Sequence, residues 1–335
     1  MWLASMGAEV HGYALPPPTQ PSLFSVARIA DVLASHTVGD IRDQNGLCLA
    51  LAQSKAEIVL HLAAQPLVRY SYENPVETYS TNVMGTLFLL EAIRSAGGVR
   101  SVVSVTTDKC YENREWAWGY RENEALGGYD PYSSSKACAE LVTSAYRQSF
   151  LGSAGVAVAT ARAGNVIGGG DWAADRLLPD FLRAIDSGKT LEIRSPNSIR
   201  PWQHVLEPLA GYLCLAEELF IGGDSVAEAW NFGPADDDAK PVQWIVEQLV
   251  ARVPGAHWVR HQEANSPHEA HYLKLDSSKA RSRLGWSPRW RLSEALARTV
   301  DWHQAWRLGE DMHAFSLAQI ADYSNVRTGA ACGTL

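Results

Sequence analysis

The sequence predicts an α/β protein: a doubly wound parallel sheet with a smaller mixed α/β domain. Two observations carry this. Short, apolar, β-branched segments alternate with longer stretches of helical periodicity through the first half of the chain. Past about residue 165 the alternation loosens into loops, short strands and amphipathic helices.

In chain order, AEVHGYAL (8–15) and HTVGDIRD (36–43) read as two strands, with PPPTQP (16–21) as a loop between them. EIVLHLAA (57–64) reads as a buried strand, and VETYSTNVMGTLFLLEAIRSAG (76–97) has helical periodicity. RSVVSVTT (100–107) is the next strand. PYSSSKACAELVTSAYRQSF (131–150) is a helix with Pro131 near its start. VAVATARAGNV (156–166) returns to strand. In the second half, GGGDWAADR is a loop, LLPDFLRAI a helix and KTLEIR a strand. VLEPLAGYLCLAEELF (205–220) is an amphipathic helix, and PVQWIVEQLVARV, KLDSSKARSRLGW and LSEALARTVDWHQAW are helical or cap-like. Residues 322–335 read as a frayed tail.

The chain has 335 residues, 46% of them hydrophobic, enough for a sizeable core. A net charge of -8 disfavours nucleic acid and anionic membrane as partners. No apolar run approaches the roughly 18 residues that span a bilayer. The opening MWLASMGAEVHGYAL lacks the basic-then-apolar order of a signal peptide. Cys48, Cys110, Cys138, Cys214 and Cys332 are scattered, odd in number and without a CxxC pair. That suits reduced thiols in the cytoplasm. His257/His261 and His268/His271 have ligand-like spacing but no supporting carboxylate or Cys pattern, so no metal is expected.

Four stretches carry chemistry. TTDKCY (106–111) ends a strand and presents Thr107, Asp108 and Lys109 together, at the position where doubly wound sheets open a crevice. The bland reading is a polar exit from the strand. Tyr132 and Lys136 stand at i and i+4 of a helix, so they share a face. An ammonium beside a phenol lowers its pKa and makes it a proton acceptor. On spacing alone, a surface pair fits as well; the position one crossover after TTDKCY favours the crevice. RAGNVIGGGDW (162–172) does not match GxGxxG, and no helix follows at once. It reads as a loop over a substrate rather than a phosphate loop or plain connector. Arg200–Pro201–Trp202–Gln203–His204 precedes a helix. Its Arg and Trp suit a diphosphate clamp and a base-ring support, or equally an Arg capping the helix face.

These stretches resemble the extended short-chain dehydrogenase/reductase family in its sugar-nucleotide branch, also called the NAD-dependent epimerase/dehydratase family. More narrowly they are similar to the CDP-glucose 4,6-dehydratases. The resemblance rests on residues 61–86, 106–142, 162–180, 199–213 and 275–290. DKCYENREW and RPWQHV are its specific parts; YxxxK and HLAA mark only the wider group. The related dTDP-glucose dehydratases carry Asp-Glu where this chain has Asp108–Lys109. The family pattern opens with a strand and a GxxGxxG turn that approaches the NAD pyrophosphate. This sequence begins at WLASMGAEV, which matches the end of the first helix, so a Rossmann-like sheet incomplete at its N-terminal side is expected.

The resemblance implies NAD as cofactor and an internal redox dehydration of CDP-glucose to CDP-4-keto-6-deoxyglucose, a step of deoxysugar biosynthesis. Tyr132 would take the C4 hydroxyl proton, Lys136 would lower the Tyr132 pKa and hold the nicotinamide ribose, and Thr107 would bond the C4 oxygen. Asp108 would be the C6 acid. Lys109 would be the C5 base or stay charged and stabilise the C5 enolate. Asp40 and Ile41 would meet adenine, with His61, Leu62, Ala63 and Ala64 along the cofactor cleft. Gln65, Arg69, Asn165, Arg200, Trp202 and His204 would bind substrate. The implied division is a dinucleotide-binding domain at 1–164 with 201–232 returning to it, and a sugar-nucleotide domain at 165–200 and 233–321. Pairing into a homodimer or homotetramer would use helices 76–97 and 131–150. A nucleotide-sugar 4-epimerase needs Tyr132 and Lys136 but not an acid–amine pair at 108–109. A non-catalytic remnant that cannot hold NAD is the other rival.

Overall fold

The computed structural model describes residues 1–260 and 272–326. In chain order the strands are β1 (His11–Ala14), β2 (Ser35–Val38), β3 (Ile58–His61), β4 (Ser101–Val105), β5 (Ala157–Ala163), β6 (Val166–Ile167), β7 (Leu191–Ile193), β8 (Ile199–Pro201), β9 (Gln203–His204), β10 (Ala229–Phe232), β11 (Ala239–Pro241) and β12 (Trp258–Arg260).

The central sheet runs β10-β5-β4-β3, every pair parallel. Alternate side chains of a strand leave on opposite faces. Val102 and Val158 accordingly pack against Leu90 and Ile93 of the helix Gly85–Ala96 and Leu47 of the helix Gln44–Ser54. Val103 and Ala159 go the other way, against Leu215 and Leu219 of the helix Leu206–Gly222 and against Trp230 and Phe232 of β10. With both faces covered, SVVSV (101–105) is apolar without alternation, as buried parallel strands are. Gly211 lets that helix lie directly on Phe232, since a Cβ there would clash with the ring.

The strands expected at 8–15 and 36–43 form, as β1 and β2, but they do not join the sheet. They pair only with each other, in parallel, from His11↔Ser35 to Ala14↔Val38. Among the described residues no strand pairs with β3 on its far side or with β1 on the side away from β2. In a doubly wound order the first family strand lies between those two edges. The break therefore falls where the resemblance places the strand that the sequence lacks.

A second core gathers Ile167, Phe181, Ile193, Trp202, Ile245, Leu249, Leu296 and Val300. Three two-stranded pairs frame it: β6 with β9, β8 with β11 and β7 with β12. The expected frayed tail is corrected in part. Residues 322–325 are the last turn of a helix, Met312–Asn325. Tyr323 there is fully buried, and its hydroxyl donates to Glu207 Oε2 at 2.6 Å. Glu207 also accepts the backbone N–H groups of Arg289 (2.9 Å) and Trp290 (2.7 Å), which ties the C-terminal helix to the sheet's covering helix. His261, His268, His271 and Cys332 lie outside the described residues.

Candidate active site

β4 ends at Val105, and the chain tightens into a 3-10 turn over Asp108–Cys110. Thr107 caps that turn, its Oγ1 accepting the Lys109 N–H at 3.3 Å. The same hydroxyl donates to Asp108 Oδ1 at 3.0 Å. Asp108 is 2% exposed, and its Oδ2 is buried with no hydrogen-bond partner among the described residues. Burial raises its pKa, against the opposing pull of Lys109, Thr107 and Arg200. A buried carboxyl with one idle oxygen is a group prepared to hold and release a proton. Lys109 itself is only half-buried.

Across the crevice stands the helix Pro131–Tyr146. Its start is fixed locally: Asp130 Oδ1 accepts the Ser133 N–H at 2.9 Å, and Pro131 supplies the preset first turn. The Tyr132 N–H donates to Ser71 Oγ at 3.1 Å. A π-helical segment, Ser80–Met84, sits beside it, and there Asn82 donates to Ser135 Oγ at 2.9 Å. Such bulges recur at functional sites because they redirect side chains. The phenol of Tyr132 is buried and faces Thr107, which pulls its pKa down; Asp108 pushes it up. Burial dominates and brings it to about 12. Lys136 is buried too and donates to the Val105 carbonyl at 3.2 Å. Burial lowers it to about 8, with Glu140 and Cys110 opposing. Thr107 and Arg176 lower the Tyr132 phenol, and the Lys136 ammonium meets the Val105 carbonyl.

The residues expected along the cofactor divide. Leu62 is exposed at the carboxyl end of β3, and Ala63 and Ala64 are half-buried beside it. The His61 ring meets the helix Gly85–Ala96. It is 6% exposed and lies 2.9 Å from Thr86 Oγ1. Thr86 gives its own proton to the Asn82 carbonyl at 2.7 Å, so His61 Nε2 is assigned as the donor. Burial and Lys136 lower His61 to about 3, so it is neutral. Asp40 is held by the Arg42 guanidinium through Oδ1 at 2.9 Å, which keeps its pKa below the ordinary carboxylate range. Ile41 is buried where Gly85 approaches closely; a Cβ there would lie 2.6 Å from Ile41 Cγ2.

Of the residues expected at the substrate, Arg200 is brought to the catalytic centre, acting electrostatically on Asp108. Arg69 shares the short helix Val68–Glu73 with Ser71, and its Nε is buried without a hydrogen bond among the described residues. Asn165 is half-buried at the end of β5, and its carbonyl accepts the Gln203 N–H at 2.9 Å. The Gln65 amide is used in its own turn, donating to Thr78 Oγ1 at 2.9 Å. Trp202 belongs to the second core. His204 packs edge-on to Trp290, is neutral with a pKa lowered by burial to about 3, and has a buried Nε2 without a partner among the described residues.

Two neighbours of the centre were not anticipated. Tyr212, on the helix Leu206–Gly222, is buried and acts on both Tyr132 and Asp108. Arg176, at the end of the glycine loop, lowers the Tyr132 phenol. Tyr212 lies inside the stretch 199–213 that carries the resemblance, but helical periodicity gave it no distinction from its apolar neighbours.

The resemblance implies NAD, and the side chains present fit its nicotinamide-ribose end. Lys136 is buried and, among the described residues, makes one side-chain hydrogen bond, leaving donors for a ribose hydroxyl. Leu62 and the alanines after it offer an apolar shelf at the same crevice.

Hydride transfer at the carboxyl end of a central parallel strand needs a proton acceptor, a cation and a hydroxyl donor within one buried crevice. Tyr132, Lys136 and Thr107 bring a phenol, an amine and a hydroxyl to such a strand end, and the chain is of the extended short-chain dehydrogenase/reductase class. Over residues 2–299 the chain matches the family described as GDP-mannose 4,6 dehydratase, and it belongs to that family. It is 58% identical over 334 residues to the CDP-glucose 4,6-dehydratase of Salmonella typhimurium strain LT2, covering 98% of this chain and 92% of that one. It is similar to DesIV, a dTDP-glucose 4,6-dehydratase from Streptomyces venezuelae solved with NAD, at 26% identity and a TM-score of 0.67, covering 83% and 81% of the two chains. A UDP-glucose 4-epimerase from Thermotoga maritima shares the fold, with a TM-score of 0.74 at 20% identity over 92% and 94%.

Proposed function

We propose that this chain converts CDP-glucose to CDP-4-keto-6-deoxyglucose with loss of water, as an NAD-dependent hydro-lyase. The observation that carries the reading is the buried carboxyl of Asp108, with its idle Oδ2, placed beside Thr107 and the Tyr132 phenol. An epimerase needs the phenol but has no use for a protonated acid next to it. The 58% identity to a CDP-glucose 4,6-dehydratase supports the same choice of substrate.

NAD, held at its nicotinamide ribose by Lys136, would supply a reversible hydride acceptor beside C4 and C6. Tyr132, as the phenolate, takes the proton of the C4 hydroxyl and becomes the neutral phenol, so its pKa must lie below the value of about 12 in the chain alone before the transfer. Arg176 lowers the Tyr132 phenol, and Lys136, one turn along the same helix face, is the second cation that would stabilise the phenolate once cofactor and substrate are bound. Thr107 donates to the C4 oxygen. The new ketone acidifies C5–H. Lys109 removes that proton or remains charged and stabilises the enolate, and Asp108 protonates the departing C6 hydroxyl. Arg200 orients Asp108, and Arg69 and Asn165 lie toward the sugar nucleotide. Asp40 and Ile41 approach the adenine.

The proposed division of labour gives the dinucleotide to 1–164 with 201–232 and the sugar nucleotide to 165–200 with 233–321. The enzyme works in the cytoplasm as a homodimer or homotetramer. No described helix is long and apolar enough to cross a membrane. The test of internal redox uses CDP-glucose deuterated at C4. Label at C6 of the product is the expected result; label lost to solvent or retained at C4 contradicts the reading.

A further inference from the structure

Two turns beyond Tyr132, on the same helix face, lies a carboxylate that the proposed reaction does not use. Tyr132, Lys136 and Glu140 stand at i, i+4 and i+8. Glu140 is 3% exposed, yet every lone-pair direction of its carboxylate is engaged. Oε1 accepts from Thr106 Oγ1 at 2.5 Å and from Arg162 Nε at 2.9 Å. Oε2 accepts from Thr160 Oγ1 at 2.7 Å and from Arg162 Nη2 at 2.8 Å. Arg162 continues the chain of bonds: its Nη1 donates to Tyr111 Oη at 2.7 Å, and that hydroxyl donates to Asn231 Oδ1 at 2.7 Å. One side chain of the catalytic helix is therefore fastened to the residue before Thr107, to β5 and, through Tyr111, to β10.

We propose that Glu140 is a positioning residue for the catalytic centre: its carboxylate locks the helix that carries Tyr132 and Lys136 to the strand end that carries Thr107, and supplies the negative charge that Lys136 faces. Lys136 bonds to Val105, and Glu140 is bonded to Thr106, so consecutive residues of one strand end are gripped one turn apart on the helix. A buried pair of this kind adds little net stability over apolar packing but fixes geometry and field. The burial that lowers Lys136 is opposed first by Glu140, whose own pKa burial pushes up but Arg162 and the two threonines bring below the ordinary range. The titratable groups around this centre are His61 on β3, Asp108, Lys109 and Cys110 after β4, Arg162 on β5, Tyr132 on the same helix, Arg147 beyond its end, and Tyr212 on the covering helix.

The inference rests on the proposed role of Lys136, so its test includes a readout that needs neither cofactor nor substrate. The full chain, labelled with 13Cε-lysine, is titrated by NMR, with Lys136 assigned through Lys136→Arg. Wild type should titrate near 8. Glu140→Gln should titrate about 1 unit lower, and Glu140→Asp, which keeps the charge, should return to the wild-type value. Because Glu140→Gln strands a buried guanidinium, the variant Glu140→Met/Arg162→Met removes both charges and should show the same downward movement. In turnover, the alkaline limb of the kcat–pH profile should follow, costing about fivefold in activity at pH 8 against about twofold at pH 7. A merely structural role would lower the unfolding temperature and leave the Lys136 titration where it was. An unmoved Lys136 titration in the double variant overturns the proposal. A wild-type chain without turnover would count against the reaction and not against this inference, which the NMR titration decides.

Discussion

Replacing Asp108 with Asn separates the two halves of the proposed chemistry. The side chain is 2% exposed, so no bulk water stands ready to take its place as acid. Asn keeps the shape and still accepts the Thr107 hydroxyl at Oδ1, so the turn that holds Thr107 survives. What is lost is the transferable proton on Oδ2. A positioned general acid contributes about 10²–10⁴ in rate. With water excluded, a loss near 10³ is expected, about 4 kcal/mol on the elimination barrier. C4 oxidation uses Tyr132 and Thr107 and should stay within about threefold of wild type. The assay follows CDP-glucose by mass for the loss of one water, by absorbance for reduced nicotinamide, and by NMR for solvent deuterium at C5. The variant should build up reduced nicotinamide and unexpelled 4-keto sugar. Loss of water within tenfold of wild type would refute the role of Asp108, as would oxidation falling in step with dehydration. Since the raised pKa of Asp108 keeps it protonated beyond the ordinary carboxylate range, elimination should fade as pH rises through that raised value.

Lys109→Ala should retain C4 oxidation and lose dehydration; solvent exchange at C5 at the wild-type rate would exclude Lys109 as base. Gly128→Ala should disturb the catalytic helix, since its Cβ would collide with the Ser134 backbone nitrogen. A cost of about 1–3 kcal/mol in stability, with a larger fall in kcat than in thermal stability alone explains, is expected, and unchanged kcat would contradict it. Glu207→Ala strands the Arg289 and Trp290 amides and the Tyr323 hydroxyl, so urea unfolding should show a loss of about 3–5 kcal/mol, and a loss under about 1 would refute that anchoring. His61 and His204 have folded pKa values of about 3. The unfolded chain binds those protons near 6.5, so stability is complete above that pH and falls as pH drops toward 3. Each costs about 2 kcal/mol at pH 5. His204→Gln should remove that share of the acid sensitivity, and an identical slope in the variant would contradict the assignment.

The parts of the fold legible in sequence were those written in short-range pattern. SVVSV at β4 and the alternation from 57 to 166 fixed the parallel sheet, and Pro131 marked the start of the catalytic helix. The separation of β1 and β2 from that sheet was not legible in their own residues, because strand propensity says nothing of which edge a strand meets. Tyr323 looked like part of a tail for the same reason: its role comes from Glu207, 116 residues away. In the site, Thr107, Asp108, Tyr132 and Lys136 were read from two local motifs that the crossover brings together. His61, Gln65, Trp202 and His204 lay in the right segments but turn into helices, turns or the second core, which motif position alone does not reveal. Glu140 was within reach, since a carboxylate four residues past Lys136 continues the same helix face. Arg162, its partner, was not, being paired through the sheet.

The most direct test of the account incubates the chain, with NAD, separately with CDP-glucose, dTDP-glucose and GDP-mannose, and follows each sugar nucleotide by mass. The account predicts loss of one water from CDP-glucose and none from the other two. No loss from CDP-glucose, or equal loss from another sugar nucleotide, would contradict it.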